Sequence, residues 1–274
     1  MKKSNSFSPR VIVITGASRG IGKAMVEKYA ENGDLIALVA DQKVELEETV
    51  AAVKKGDNCL LLHGDLANSE FLKQVVQNTL EKWGRIDVLI NNAAWRTVET
   101  LRTITLENWE KTIKICLTAP VFLSRLVAES MEKVGSPGVI IQVSSIMATR
   151  AGGTSPAYVA SKGALLSITY EMAALYGPSG IRVIAVCPGN VHTSLSQDFT
   201  DCEGKNISGN LVRDMENQTP LQRSASPEEI ANGVYWLSSK EASFVTGTAL
   251  VMDGGFTHNF SSYKNKHLQF PKEF

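Results

Sequence analysis

The chain has no excess of charge of either sign: 28 Lys and Arg face 28 Asp and Glu in 274 residues. Without a net positive field it has little with which to hold a nucleic-acid backbone or an anionic membrane, so neither is expected as a partner. Cysteine is scarce. Cys59, Cys116, Cys187 and Cys202 show no CxxC or Cys/His spacing, which argues against a disulfide framework and a zinc site and for a reducing compartment. Long apolar runs are missing too: the charged start MKKSNSFSPR passes directly into VIVITG, too short for a signal segment or a membrane span. A soluble, cytoplasmic protein without a metal is expected. What the chain does have is 43% apolar residues against 20% charged, enough to bury a large core without staples.

Short β-branched runs alternate with longer amphipathic stretches, the pattern of βαβ units. Strands are expected at Val11–Thr15, Leu35–Ala40, Cys59–His63, Val88–Asn91, Val139–Ser144, Arg182–Cys187 and Ala249–Met252, as continuous apolar runs suited to burial on both faces. Helices are expected at about 20–32, 43–55, 69–83, 106–133, 156–177 and 227–238. Thr105 marks one helix start; Ser226-Pro227-Glu228-Glu229 marks another with an N-cap, a Pro at the first helical position and a capping-box Glu. This order predicts an α/β, doubly wound parallel sheet of about seven strands, a Rossmann-type three-layer αβα fold. A single domain over 11–255 follows, with an extension at 1–10 and a tail at 256–274 that reads as a partly ordered terminus. Residues 193–225 carry no strong pattern beyond a weak helix near 208–216, and read as a substrate lid.

The first strand runs directly into Thr15-Gly16-Ala17-Ser18-Arg19-Gly20-Ile21-Gly22. Glycines between a strand and a helix let the backbone approach a pyrophosphate, while the helix start supplies N–H donors and a positive dipole end. Asp41, just after the second strand, is placed to accept from ribose hydroxyls and to repel a 2′-phosphate, which predicts NAD. Arg19 and Lys43 are possible phosphate partners and keep NADP open. Asp65, after the third strand, could accept from the adenine amino group.

Ser144 and Ser145 end the fifth strand, and Tyr158 and Lys162 follow as an i,i+4 pair on one helix face. A free tyrosine has a pKa of about 10, too high for proton transfer at neutral pH, and a nearby ammonium favours its phenolate. A serine hydroxyl beside it can hold a substrate oxygen.

Together these motifs resemble the short-chain dehydrogenase/reductase family, from Val11 to about Gly255: TGASRGIG at 15–22, Asp65-Leu66, Asn91-Asn92-Ala93-Ala94, Ser145, Tyr158-Val159-Ala160-Ser161-Lys162, Pro188-Gly189-Asn190-Val191-His192-Thr193 and Met252-Asp253-Gly254-Gly255. The resemblance implies hydride transfer between a nicotinamide cofactor and a secondary alcohol or ketone. Ser145, Tyr158 and Lys162 would be catalytic, with Lys162 also on the nicotinamide ribose. The cofactor would be held by Gly16, Ser18, Arg19, Gly20, Ile21, Gly22, Asp41, Asp65, Leu66, Asn92, Ala93, Pro188, Gly189, Val191 and Thr193. A homotetramer or homodimer, packed partly through the helices at 106–133 and 156–177, is implied as well.

The chain departs from the family pattern at two positions. Ala94 stands for the usual Gly, and Cys116 for an Asn that helps hold a proton-relaying water. A thiol is a weak donor and acceptor, so a dinucleotide-binding sensor or scaffold with impaired catalysis is the alternative expectation. Trp95, Arg96, Met147, Thr149, Arg150, His192 and Ser194 follow strand ends and are expected near substrate. Arg96 and Arg150 are candidate carboxylate or phosphate ligands or plain solvated arginines, and His192 reads as a loop residue.

Overall fold

The apolar runs pair into one parallel sheet. The computed structural model describes residues 9–53 and 56–274. Its strands are β1 (Val11–Thr15), β2 (Leu35–Ala40), β3 (Cys59–His63), β4 (Val88–Asn91), β5 (Gly138–Val143), β6 (Ile181–Pro188) and β7 (Thr248–Met252), in the order β3-β2-β1-β4-β5-β6-β7. All six pairings are parallel, so every strand ends on the same edge. The chain changes direction across the sheet between β1 and β4, and that switch point opens the crevice where this architecture binds ligands.

The connecting helices are α1 (Gly20–Glu31), α2 (Lys43–Ala52), α3 (Ser69–Trp83), α4 (Leu106–Ile113), α5 (Ala119–Lys133), α6 (Pro156–Tyr176), α7 (Ser208–Gln218), α8 (Pro227–Leu237) and α9 (Tyr263–Gln269). One buried layer packs Met25 and Tyr29 of α1, Leu46 of α2 and Val234 of α8 against one face of the sheet. The other packs Val75 of α3, Leu123 and Val127 of α5 and Met172 of α6. A three-layer αβα arrangement results. Among the described residues no helix is long and apolar enough to cross a membrane.

Four local expectations change. The helix at 106–133 is broken by a π-helical turn at Lys114–Thr118, because Pro120 has no N–H to give the Cys116 carbonyl four residues earlier and its ring would meet that carbonyl. The Ala119 N–H instead reaches back five residues to Lys114. The strand expected at Val139–Ser144 stops at Val143, which leaves Ser144 and Ser145 beyond its end. The tail is ordered: Ser262 caps α9, and the Lys264 N–H donates to Asn217 of α7 at 2.9 Å. The helix expected at 43–55 ends at Ala52, and its positions 54 and 55, like residues 1–8 of the extension, lie outside the described residues.

Candidate active site

The turn after β1 is a packed object before it is a ligand site. A Cβ on Gly22 would stand 1.8 Å from the Gly16 carbonyl oxygen, so the start of α1 lies directly against the turn. Gly16 has φ +64°, and a Cβ there would come within 2.8 Å of the Ala93 Cα. Asn92 locks this contact: its Nδ2 donates to the carbonyls of Thr15 (3.0 Å) and Gly16 (3.1 Å). The backbone N–H groups of Asn92 and Ala93 both donate to Thr15 Oγ1, at 3.0 and 3.1 Å. At the helix start Arg19 makes no side-chain cap and the first turn holds no acid. The leading N–H groups and the positive dipole end of α1 therefore face outward without a side-chain anion.

They face a cavity of about 640 Å³ along the carboxyl ends of the strands. Every expected site residue borders it except Gly22, which is buried in the turn. Asp41, Asp65 and Leu66 line one end, beyond β2 and β3. Ser145, Tyr158 and Lys162 line the other, with Pro188, Gly189, Val191 and Thr193 along one wall. An uncapped helix start with carboxylates on its β2 side suits a dinucleotide, pyrophosphate on the helix and ribose on Asp41. A further acid that sequence reading missed, Glu45 of α2, accepts from Ser18 Oγ at 3.3 Å. Lys43 points to Glu47, at 3.9 Å.

Tyr158 and Lys162, on the first turns of α6, are 7% and 2% exposed. Lys162 Nζ donates to the Val143 carbonyl at 2.7 Å and lies 5.4 Å from the centre of the Tyr158 ring. Ser144 Oγ donates to the Lys162 carbonyl at 2.9 Å, which seats α6 on the end of β5. From the i,i+4 spacing alone the ammonium is expected to pull the phenol down. In the folded chain burial pushes the Tyr158 hydroxyl up instead, opposed by the Arg96 charge and by a hydrogen bond with Ser145. Burial also pulls the Lys162 ammonium down. Desolvation is the largest influence on both groups.

Trp95, Arg96, Met147 and Ser194 border the cavity as expected; Thr149, Arg150 and His192 do not. Arg150 Nη1 is drawn to the tail carbonyls of Phe256 (3.0 Å) and Thr257 (2.9 Å), and His192 stands 4.0 Å from Glu216. Lys111 of α4 and Phe199, Leu211 and Met215 of the 193–225 segment complete the wall. No local pattern marks them, because they reach the cavity only through the packing of α4 and the 193–225 segment.

Solved structures share this fold. That of a short-chain dehydrogenase from Bacillus anthracis superposes with a TM-score of 0.81 at 30% identity, covering 90% of this chain and 96% of that one. A family model described as enoyl-(acyl carrier protein) reductase matches residues 16–257. The chain belongs to the short-chain dehydrogenase/reductase family. Members of this NAD(P)-dependent oxidoreductase family similar to it include the NAD-dependent glycerol dehydrogenase of Listeria innocua, 31% identical over 255 residues, 93% of this chain and 96% of that protein. L-Sorbose reductase from Gluconobacter frateurii, solved with NADPH and L-sorbose, has a TM-score of 0.84 at 31% identity and 93% and 98% coverage. In this short-chain dehydrogenase/reductase Ala94 borders the cavity, and Cys116 is fully buried in the π-helical turn.

Proposed function

We propose that the protein interconverts a secondary alcohol and its ketone with NAD as cofactor, Tyr158 serving as general acid and base. The observation that carries this reading is the convergence of Ser145, Tyr158 and Lys162 at one end of a cavity whose middle is an uncapped helix start. The nicotinamide, when bound, supplies or accepts the hydride. Tyr158 Oη takes the proton from the alcohol hydroxyl, or returns it to the ketone oxygen. Ser145 Oγ holds that oxygen, and Lys162 keeps positive charge beside Tyr158 and binds the nicotinamide ribose. Thr193 and the Pro188-Gly189 backbone hold the carboxamide, while Asn92, Ala93, Asp65 and Leu66 flank the adenosine half.

NAD is preferred to NADP because the Asp41 carboxylate stands where a 2′-phosphate would sit, with Glu45 behind it on Ser18, and outweighs Arg19. The NAD-dependent glycerol dehydrogenase supports this choice; the NADPH-bound sorbose reductase is the contrary case among the relatives. Residues 11–255 act as one catalytic domain with 193–225 as its lid. The cytoplasm is its place of work, in keeping with four unpaired cysteines. A homodimer or homotetramer is supported by exposed Phe122 on α5 and Tyr170 and Leu175 on α6.

A screen of secondary alcohols and ketones, read by absorbance of the reduced cofactor, tests the reading with Tyr158→Phe as comparator. That variant should lose at least about 10²-fold in kcat with NAD affinity changed little. Equal turnover would overturn it.

A further inference from the structure

The charge of the cavity is divided along its length. The acids that line it, Asp41 and Asp65, stand beyond β2 and β3, whereas the charged residues bordering the Tyr158 end, Arg96, Lys111 and Lys162, are all cationic. Lys162 is engaged with Val143 and Tyr158, which leaves Arg96 and Lys111 to face a substrate.

Arg96 is only partly satisfied. Its side chain is 6% exposed, and Nη2 donates to the Leu195 carbonyl at 2.7 Å and to Asp198 Oδ1 at 2.8 Å. Nη1 is buried and has no hydrogen-bond partner among the described residues. A guanidinium is a fork of N–H donors made for two parallel bonds to an oxyanion, and a buried donor left unmade is costly. Lys111 Nζ lies 4.3 Å from the centre of the Trp95 ring, with no ion pair among the described residues. Setting Asp198 against Arg96 still leaves Lys111 and Lys162 as cations, so this end of the cavity is net positive, the complement of an anion. A neutral hydroxyl would fill the donor without balancing that charge, whereas a carboxylate, planar and two-oxygened like the fork it meets, does both.

We propose that the substrate carries a carboxylate: a small hydroxy acid, or the corresponding oxo acid, gripped by Arg96 Nη1 and steadied by Lys111 while its carbinol oxygen meets Ser145 and Tyr158. The inference rests on the oxidoreductase reading above and narrows its substrate class.

The test compares 2- and 3-hydroxy acids with their methyl esters and with 2-butanol at saturating NAD. At least one acid should exceed its own ester in kcat/KM by about 10²-fold, a fair loss for an unmet buried charge. Arg96→Gln should bring that ratio close to one, and Lys111→Gln should lower it by a smaller factor. Arg96 also holds the 193–225 segment, so Asp198→Asn is the companion variant; by freeing the guanidinium it should lower KM for the acid and leave the ester unmoved. Esters or 2-butanol used as well as every acid, or Asp198→Asn shifting acid and ester alike, would overturn the proposal while leaving hydride transfer intact. If no compound is turned over, hydride transfer is the reading that fails, and melting temperatures with butyrate and butyramide at saturating NAD decide the site. A rise with butyrate alone, abolished in Arg96→Gln, supports the carboxylate site; equal rises or none overturn it.

Discussion

Cys116 Sγ clasps the peptide of Trp95 from both sides, accepting from its N–H at 3.4 Å and donating to its carbonyl at 3.2 Å. The thiol sits in the π-helical turn, and Trp95 lies in the segment after β4 that continues into Arg96. The weak donor and acceptor of the thiol are thus committed to main-chain atoms at the cavity wall. An asparagine carries both functions in one amide and could serve the same peptide.

If this clasp is the task of position 116, Cys116→Asn should change kcat by less than about threefold, whereas Cys116→Ala, which frees the segment carrying Arg96, should lower kcat/KM about tenfold. Steady-state kinetics on the two variants decide the matter. A large gain in the Asn variant would mean that the thiol impairs a proton path, and would favour a sensor with residual chemistry.

The raised Tyr158 hydroxyl sets the direction of the pH dependence. Tyr158 must be ionised to accept a proton and protonated to donate one, so kcat/KM for alcohol oxidation should climb with pH through the neutral range. Ketone reduction should stay level there and decline only in alkali. Arg96 favours the phenolate, so Arg96→Gln should move the oxidation limb to higher pH. Profiles in both directions check this; an oxidation rate that falls between about pH 6 and 8 is incompatible with it.

Cofactor choice should follow the acids at the β2 end of the cavity. Wild type should favour NAD over NADP by about 10²-fold in kcat/KM, and Asp41→Ala should shrink the ratio at least about tenfold. Glu45→Gln, acting beside Ser18, should shrink it by less. Preference for NADP in the unaltered protein would refute the weight given to Asp41.

Stability has its own anchor, far from the cavity. Arg10 Nη2 donates to Asp34 Oδ2 at 2.7 Å and Nη1 to the Ser238 carbonyl at 3.1 Å, joining the entry to β1, the turn before β2 and the end of α8. The Asp34 side chain is 7% exposed, so Asp34→Ala leaves a largely buried cation unpaired and should cost about 3 kcal/mol. At roughly 2–4 °C per kcal/mol for a chain of this size, thermal unfolding should shift down by about 6–12 °C. An unchanged midpoint would show that Arg10 finds another partner.

Much of this molecule was legible along the chain because its signals are local. Four strands, β1 to β4, have the expected bounds, and the Ser226–Glu229 capping box is reciprocal in the structure. The π-helical turn was readable in principle, since Pro120 stands four residues after Cys116, but helical periodicity alone passes over it. The order of the tail was not readable: α9 is held by Asn217, 47 positions away.

Residue order alone thus dictates the alternation of elements and, with it, the placement of the glycine turn, Asp41, Ser145, Tyr158 and Lys162 at one sheet edge. Strand periodicity and the handedness of crossovers leave little other choice. What only the tertiary structure decides is the electrostatic state of those groups. Arg96 is buried against Asp198, 102 positions later, while Arg150 is drawn to the carbonyls of Phe256 and Thr257, 106 and 107 positions later. Of two arginines alike in sequence, one comes to border the cavity and the other to clamp the tail. A side chain's solvation and charge partners come from distant segments that meet only in the folded chain, and these fix both the raised Tyr158 hydroxyl and the unmet donor of Arg96.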